Sequence, residues 1–163
     1  MLVDIKELNK SSKVWIYTCN RTFEEKEIAQ INSILAQFVD SWQRHGENLK
    51  ASFEIRYDQF IVLAVDESYN DISGCSIDAS VNVIQQIENE FSVDLTNKLN
   101  LAFKTNDDIN IVSYLDFQKY VQLGKIKPTT VVYNNMVASI DEYNEKWEGP
   151  ASNSWHNRMF SQK

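Results

Sequence analysis

The run "FIVLAV", Phe60 to Val65, constrains the fold more than any other stretch because every residue in it is apolar. Successive side chains of a β-strand point to opposite faces, so an entirely apolar strand must be covered on both faces. We therefore predict that this segment is the central strand of a sheet. The preceding segment, "KASFEIRY", alternates apolar and polar residues, which predicts a neighbouring strand with one face toward water. A short turn at Asp58 separates the two, so we expect a hairpin.

Hydrophobic periodicity and capping residues place the other elements. "KVWIYTC" is rich in β-branched and aromatic residues and predicts a strand. Thr22 and Glu25 predict a capping box for a helix whose apolar side chains recur every three or four residues. A second helix is predicted to follow "SGCSID" and to end near Phe91. The remaining predicted elements are a hairpin of "LNLAF" and "INIVS", a helix capped by Ser113, a strand "TTVVYNN" and a helix capped by Ser139.

This order of elements predicts an α+β fold, with an antiparallel or mixed sheet that carries its helices mainly on one face. The first part, βαββα followed by a strand, is also the order of a ferredoxin-like βαββαβ core with C-terminal additions. The 163 residues match the size of one domain. We expect the domain to span 1–148 and a C-terminal arm to span 149–163. Because the aromatic side chains of Trp155 and Phe160 are costly to leave in water, we expect the arm to dock on the domain or on a partner.

The charge distribution excludes several partners. The formal net charge is -7, and no Lys or Arg occurs from residue 57 to residue 97. Nucleic acids and anionic lipids require clustered basic side chains, so neither is an expected ligand of this section. The section suits a basic partner or a divalent cation, or is simply a solvated acidic face. Its acidic residues are Asp58, Asp66, Glu67, Asp71, Asp78, Glu88, Glu90 and Asp94.

Other features point to a cytoplasmic protein. The first residues, acidic at Asp4 and Glu7, are not typical of a signal peptide. No run of about 18 apolar residues occurs, so we expect no membrane insertion. The two cysteines, Cys19 and Cys75, belong to no disulfide framework or metal-binding pattern.

A P-loop ATPase is excluded by the glycine pattern. The phosphate-binding loop requires GxxxxGK followed by Ser or Thr. The only Gly-Lys pair is Gly124-Lys125, which is followed by Ile126, and Lys119 stands where the first glycine is required. No GxGxxG pattern occurs either, and we expect no cofactor.

Cys75 is a candidate nucleophile because it lies beside Gly74 at a predicted helix N-terminus, where the helix dipole favours a thiolate. With His156 as base and Asp66 or Glu67 as the orienting carboxylate, it would form the catalytic group of a small cysteine-dependent hydrolase or transferase. In the structural alternative, a neighbouring serine caps the helix and Cys75 is a small packing residue. The surrounding carboxylates oppose thiolate formation.

Two further kinds of site remain open. Asp66 and Glu67, which follow the central strand, could hold Mg²⁺ together with Asp78, although their spacing matches no known metal-binding loop. A binding surface is the other option, because Arg, Asn and aromatic residues are typical anchors of interfaces and ligands. The candidate binding residues are Arg56, Glu67, Asp78, Asn134, Asn135 and Trp155.

Five segments also carry a resemblance: "KVWIYTCNR", "ASFEIRYDQFIVLAVDES", "SGCSIDASV", "VVYNN" and "PASNSWHNR". In this order they resemble a family of small bacterial proteins of uncharacterised activity that are often labelled "ABC transporter ATPase". The Walker A, signature and Walker B motifs of such ATPases are missing from this chain, so the resemblance brings no ATPase activity with it. It implies that a set of residues belongs to recurring motifs and could share one site: Arg56, Asp66, Glu67, Gly74, Cys75, Asp78, Asn134, Asn135, Trp155 and His156.

The sequence contains no complete catalytic motif and ends in an aromatic segment. We therefore predict an intracellular, non-enzymatic binding or assembly module that contacts a protein partner or forms a homodimer. The cysteine-dependent enzyme is the alternative, and the Mg²⁺ site is a weaker one.

Overall fold

The computed structural model describes residues 1–67 and 73–160. The helices are α1 Glu25–Ser41, α2 Gly74–Phe91, α3 Tyr114–Gln122 and α4 Ile140–Lys146, with short 3-10 turns at Ile5–Glu7, Ala151–Asn153 and Trp155–Met159. The strands are β1 Lys13–Thr18, β2 Gln43–Arg44, β3 Glu47–Asn48, β4 Ala51–Arg56, β5 Phe60–Val65, β6 Asn100–Thr105, β7 Asp108–Ser113, β8 Val131–Tyr133 and β9 Glu148–Pro150.

The all-apolar segment is the central strand, as predicted. β5 lies between β1 and β4 in a three-stranded antiparallel sheet, and each of its residues is buried. The predicted hairpin of β4 and β5 is confirmed, with Arg56 opposite Phe60 at its turn. Alternate residues of β5 enter two different cores, as the period of two requires.

The molecule is built in four layers. One face of the three-stranded sheet packs on α1 and α2 through a core that includes Ile61 and Leu63. Its other face, with Phe60 and Val62, packs on a second antiparallel sheet of order β7-β6-β8-β9. The far side of that second sheet is covered by α3 and the C-terminal 3-10 turns. The fold is therefore α+β, and each sheet carries its long helices on one face.

The ferredoxin-like arrangement is not confirmed. After α2 the chain enters β6, which pairs with β7 and β8 in the second sheet and not with β1 or β5. Apart from the small β2–β3 pair, the strands thus divide between two sheets where a βαββαβ core would form one.

The predicted caps Ser113 and Ser139 are confirmed, Ser73 is the serine beside Cys75 that caps α2, and the cap predicted for α1 is wrong. Ser73, Ser113 and Ser139 each accept a hydrogen bond from a backbone N–H of the first turn. Helix α1, however, is capped by Glu24 with Glu27, and not by Thr22 with Glu25. The cause is a contact with a part of the chain that is distant in sequence.

The start of α1 is displaced because the segment before it is tied to the β4–β5 turn. The N–H of Phe23 donates to the carbonyl of Asp58 at 2.7 Å. The Thr22 hydroxyl donates to Gln59 Oε1 at 3.0 Å. These contacts hold residues 22 and 23 out of the helix.

The predicted wet face of β4 is covered. Ser52 is buried, and Glu54 and Arg56 are half-buried, on the face that β5 fills with Phe60, Val62 and Ala64. Helix α4 reaches this face, since the Tyr143 hydroxyl bonds both Glu54 and Arg56.

The described part of the C-terminal segment docks on the domain and is not an extended arm. β9 pairs with β8, and Ala151, His156 and Met159 are buried in the core beneath α3. None of the helices within residues 1–67 and 73–160 is long and apolar enough to cross a lipid bilayer.

Candidate functional site

Three predicted binding residues, Arg56, Asn134 and Asn135, meet at the turn end of the β4–β5 hairpin. Arg56 is the last residue of β4, and the two asparagines follow β8. Both asparagines contact Trp147: the Asn134 N–H donates to its carbonyl at 2.6 Å, and Asn135 Oδ1 accepts from its Nε1 at 3.0 Å. The side chains that surround Arg56 here form what we call the Arg56 cluster, which consists of Glu54, Arg56, Tyr57, Tyr133, Tyr143, Trp147 and Glu148.

Aromatic rings hold the Arg56 guanidinium from three sides. Its Cζ lies 5.0 Å from the Trp147 ring centroid, 5.3 Å from that of Tyr57 and 5.7 Å from that of Tyr143. Such distances allow cation–π attraction. Nη1 also donates to the Tyr143 hydroxyl at 2.7 Å. The side chain nevertheless remains 36% exposed, so a rigidly held cation faces solvent.

The two carboxylates of the cluster are engaged by tyrosine hydroxyls. Glu148 accepts from Tyr57 at 2.9 Å through Oε1 and from Tyr133 at 2.8 Å through Oε2. Glu54 Oε2 accepts from Tyr143 at 2.7 Å and lies 3.9 Å from Arg56 Nη1. Burial, followed by the hydrogen bonds to these carboxylates, raises the pKa of all three tyrosines. The hydroxyls therefore stay protonated and act as donors.

The turn that presents Tyr57 has an unusual backbone. Tyr57 and Asp58 both have a φ of 53°, a left-handed conformation that is uncommon for residues other than glycine, Asn and Asp. Surrounding contacts impose it: Gln59 N–H donates to the Arg56 carbonyl at 3.0 Å, and the Tyr57 ring stacks on Trp147 at 6.1 Å. The Tyr57 side chain is held over the cluster and remains 46% exposed. Positive φ at both central residues is what a tight hairpin turn requires, so the same conformation closes the β4–β5 hairpin.

The "SGCSID" segment is a helix cap anchored to the end of α1. Ser73 Oγ accepts from the Ser76 N–H at 3.1 Å, and Ser76 Oγ donates to the Gln43 carbonyl at 2.7 Å. Trp42 Nε1 donates to the Ser76 carbonyl at 2.9 Å. Cys75 is exposed in the first turn of α2, and Asp78 is exposed in the next.

His156 lies in a different part of the fold. It is 0% exposed, in the 3-10 turn Trp155–Met159, between the rings of Phe117 at 5.4 Å and Trp155 at 3.9 Å. Its Nδ1 lies 2.6 Å from Ser154 Oγ, and its Nε2 has no hydrogen-bond partner among the described residues. Burial lowers its pKa to about 4, so the imidazole is neutral at physiological pH.

The predicted catalytic group is not brought into contact within the described residues. His156 forms its polar contact with Ser154 and packs in the core beneath α3, whereas Cys75 is exposed beside the end of α1. Asp66 is buried directly after β5, where its N–H donates to the Lys50 carbonyl at 2.9 Å. The pairing of Cys75 with His156 therefore remains a prediction without a shared contact.

The weaker metal hypothesis gains no support from the described residues. No group of three or more His, Cys, Asp or Glu in residues 1–67 and 73–160 is placed to hold a metal ion. Asp66, Glu67 and Asp78 do not form such a group. Asp71, which lies between them in sequence, is outside the described residues.

The two thiols are expected to differ sharply in reactivity. Cys75 is exposed, whereas Cys19 is buried, and burial raises the pKa of the Cys19 thiol. A thiol reagent should label Cys75 in the folded protein within minutes and reach Cys19 only after denaturation. Intact-mass spectrometry of wild type and of Cys75→Ser measures this. Rapid labelling of Cys19 in folded Cys75→Ser would contradict the burial of Cys19.

Several cluster residues are not among the sequence predictions. Glu54, Tyr133, Tyr143, Trp147 and Glu148 join the site only because β4, β8, α4 and β9 converge there. One sequence signal was available: Tyr143 and Trp147 are four residues apart on a predicted helix, so they share a face.

Comparison of the chain with protein-family models, with curated proteins and with solved structures gives no match. The geometry of the Arg56 cluster is therefore the basis for the functional interpretation.

Proposed function

We propose that this chain is a non-enzymatic, cytoplasmic binding module that contacts a protein partner, or a second copy of itself, through the Arg56 cluster. The observation that carries the proposal is the partly exposed side chain of Arg56, whose guanidinium lies over the rings of Trp147, Tyr143 and Tyr57. Tyr57 is itself 46% exposed. Arg, Tyr and Trp are the residue types that dominate the binding energy of protein interfaces.

The rigidity of the cluster supports recognition. Binding costs less free energy when the contacting side chains are already ordered. Tyr57 is fixed by its stacking on Trp147 and by its hydrogen bond to Glu148, and Arg56 is fixed by Tyr143. A packing role alone would account for Trp147, which is 2% exposed, but not for Tyr57, which is held by contacts and yet remains 46% exposed.

The cysteine-dependent enzyme remains the alternative. The exposure of Cys75 in the first turn of α2 favours it, because a nucleophile must be reachable. The burial of His156 against Phe117 disfavours it. A measurable activity that is lost in Cys75→Ser would support the cysteine-dependent enzyme.

Photo-crosslinking in cells tests the binding proposal. Met136 is 75% exposed and directly follows Asn135, which accepts from Trp147 Nε1, so a benzoylphenylalanine at this position is one residue from a contact of the cluster and removes no member of it. The matched control is the same probe at Leu115, which is exposed on α3. We expect a discrete crosslinked product from position 136 and none from position 115. No product from position 136, or the same products from both, would contradict the proposal.

A further inference from the structure

We propose that the group recognised by the Arg56 cluster is a carboxylate of the partner. This inference rests on the proposed function and specifies its chemistry.

Arg56 has N–H donors that are not used by an acceptor of the cluster. A guanidinium has five N–H donors. Nη1 donates to the Tyr143 hydroxyl at 2.7 Å, and the Tyr57 hydroxyl also interacts with the guanidinium, but no hydrogen bond of ordinary geometry joins Nε or Nη2 to a described residue. These two nitrogens make up one edge of the planar group, and such an edge matches the two oxygens of a carboxylate. Because the side chain is 36% exposed, a ligand can reach it.

The neighbouring carboxylates of Glu54 and Glu148 do not occupy the Nε–Nη2 edge of Arg56. Both oxygens of Glu148 accept from tyrosine hydroxyls, and Glu54 is 3.9 Å from Nη1 while it accepts from Tyr143. The tyrosine hydroxyls thus engage both oxygens of Glu148 and one oxygen of Glu54, and the guanidinium edge keeps its donors for an external acceptor.

The charge of the cluster favours a carboxylate over a phosphate as the ligand. Glu54 and Glu148 outnumber Arg56, so the cluster carries a formal charge of -1, and the whole chain carries -7. This surplus of negative charge repels every anion in proportion to its charge, so it disfavours a dianionic phosphate more than a monoanionic carboxylate. The aromatic faces of Tyr57 and Trp147 beside the guanidinium add an apolar wall, which suits a carboxylate attached to a flat or apolar group.

An NMR titration of the full chain tests the inference. The probes are hippurate, which resembles a peptide C-terminus, and N-acetylglutamate α-amide, which offers a side-chain carboxylate. Hippuramide and inorganic phosphate are the comparison compounds. We expect both carboxylates to shift the Arg56 Nε–H and Trp147 Nε1–H signals in a saturable manner. The probe that binds more tightly shows whether the carboxylate of the partner is a chain terminus or a side chain. Equal binding of hippuramide or tighter binding of phosphate would overturn the inference.

Substitution of the cation gives the second measurement. Arg56→Gln should weaken hippurate binding about tenfold or more, because a charge-assisted, two-point contact is lost. Arg56→Lys should retain part of the affinity, since it keeps the charge without the fork. Arg158→Gln, which removes an exposed guanidinium elsewhere, is the matched control and should bind as wild type. A dispersed indole spectrum shows that each variant is folded.

The two proposals fail in different ways. If hippurate binds equally to wild type and Arg56→Gln, the carboxylate inference is wrong. The binding-module proposal would still stand if the crosslink from position 136 forms, because that product does not depend on which chemical group is recognised.

Discussion

Replacement of Trp147 by alanine is expected to lower the free energy of unfolding by about 3–5 kcal/mol, the range for truncation of a buried large aromatic residue. Trp147 is 2% exposed and its ring lies 5.0 Å from those of Phe60 and Tyr133 and 5.4 Å from that of Tyr143. The loss would be a large fraction of the stability of a domain of this size.

Urea unfolding followed by circular dichroism measures this change. Trp147→Phe is the informative intermediate, because it keeps one ring in the cluster and removes the second ring together with the Nε1 donor to Asn135. We expect it to cost less than the alanine variant. A loss below about 1 kcal/mol for Trp147→Ala, the size of an ordinary surface effect, would show that the cluster is not packed as described.

Stability is also expected to fall as the pH is lowered from about 6.5, the ordinary pKa of histidine, toward 4. Burial lowers the pKa of His156 to about 4 in the folded protein, whereas the unfolded chain takes up the proton near 6.5. The unfolded state therefore binds more protons in this window, and the stability that is complete above 6.5 is lost as the pH falls through the folded pKa. The expected total is about 3 kcal/mol at roughly 1.4 kcal/mol per pH unit.

His156→Phe tests the origin of this slope. A phenyl ring has a similar flat shape between Phe117 and Trp155 but does not titrate, so the slope between pH 6.5 and 4 should flatten. The matched control is His45→Asn, because His45 is exposed at a positive φ of 49° that Asn tolerates, and it should keep the wild-type slope. Equal slopes in all three proteins would contradict the neutral, buried state of His156.

A second acid transition should occur at lower pH. The hydrogen bonds from Arg21 and from the Glu24 N–H hold the pKa of Glu27 at about 2 in the folded protein. The folded pKa is depressed, so this contribution is present above about 4.5 and is lost as the pH falls toward 2. The pH ranges over which His156 and Glu27 change the stability therefore overlap little.

The elements that can be predicted from the sequence are those whose determining contacts are local. The apolar run of β5 requires cover on both faces whatever its partners are, and the serines before α2, α3 and α4 cap through their own first turns. Features that depend on contacts between residues distant in sequence could not be predicted. The start of α1 is set by a bond from Phe23 to Asp58, and the outer face of β4 is covered by Tyr143 from α4.

The candidate site was predictable only by residue type. Arg56, Asn134 and Asn135 could be named as binding residues, but their convergence on Trp147 depends on how β6 and β8 join a second sheet. Periodicity does not specify which strands pair, so neither the two-sheet arrangement nor the roles of Glu54 and Glu148 could be derived from it. The separation of Cys75 from the contacts of His156 has the same origin.

The most direct test of the central claim combines the crosslinking probe with the exposed aromatic anchor. With benzoylphenylalanine at position 136, Tyr57→Ala should abolish the crosslinked product, because it removes a ring that is 46% exposed over Arg56. Leu123→Ala, which truncates an exposed apolar side chain after α3, should leave the product unchanged. If the product survives Tyr57→Ala at its wild-type level, the Arg56 cluster is not the surface through which this protein binds.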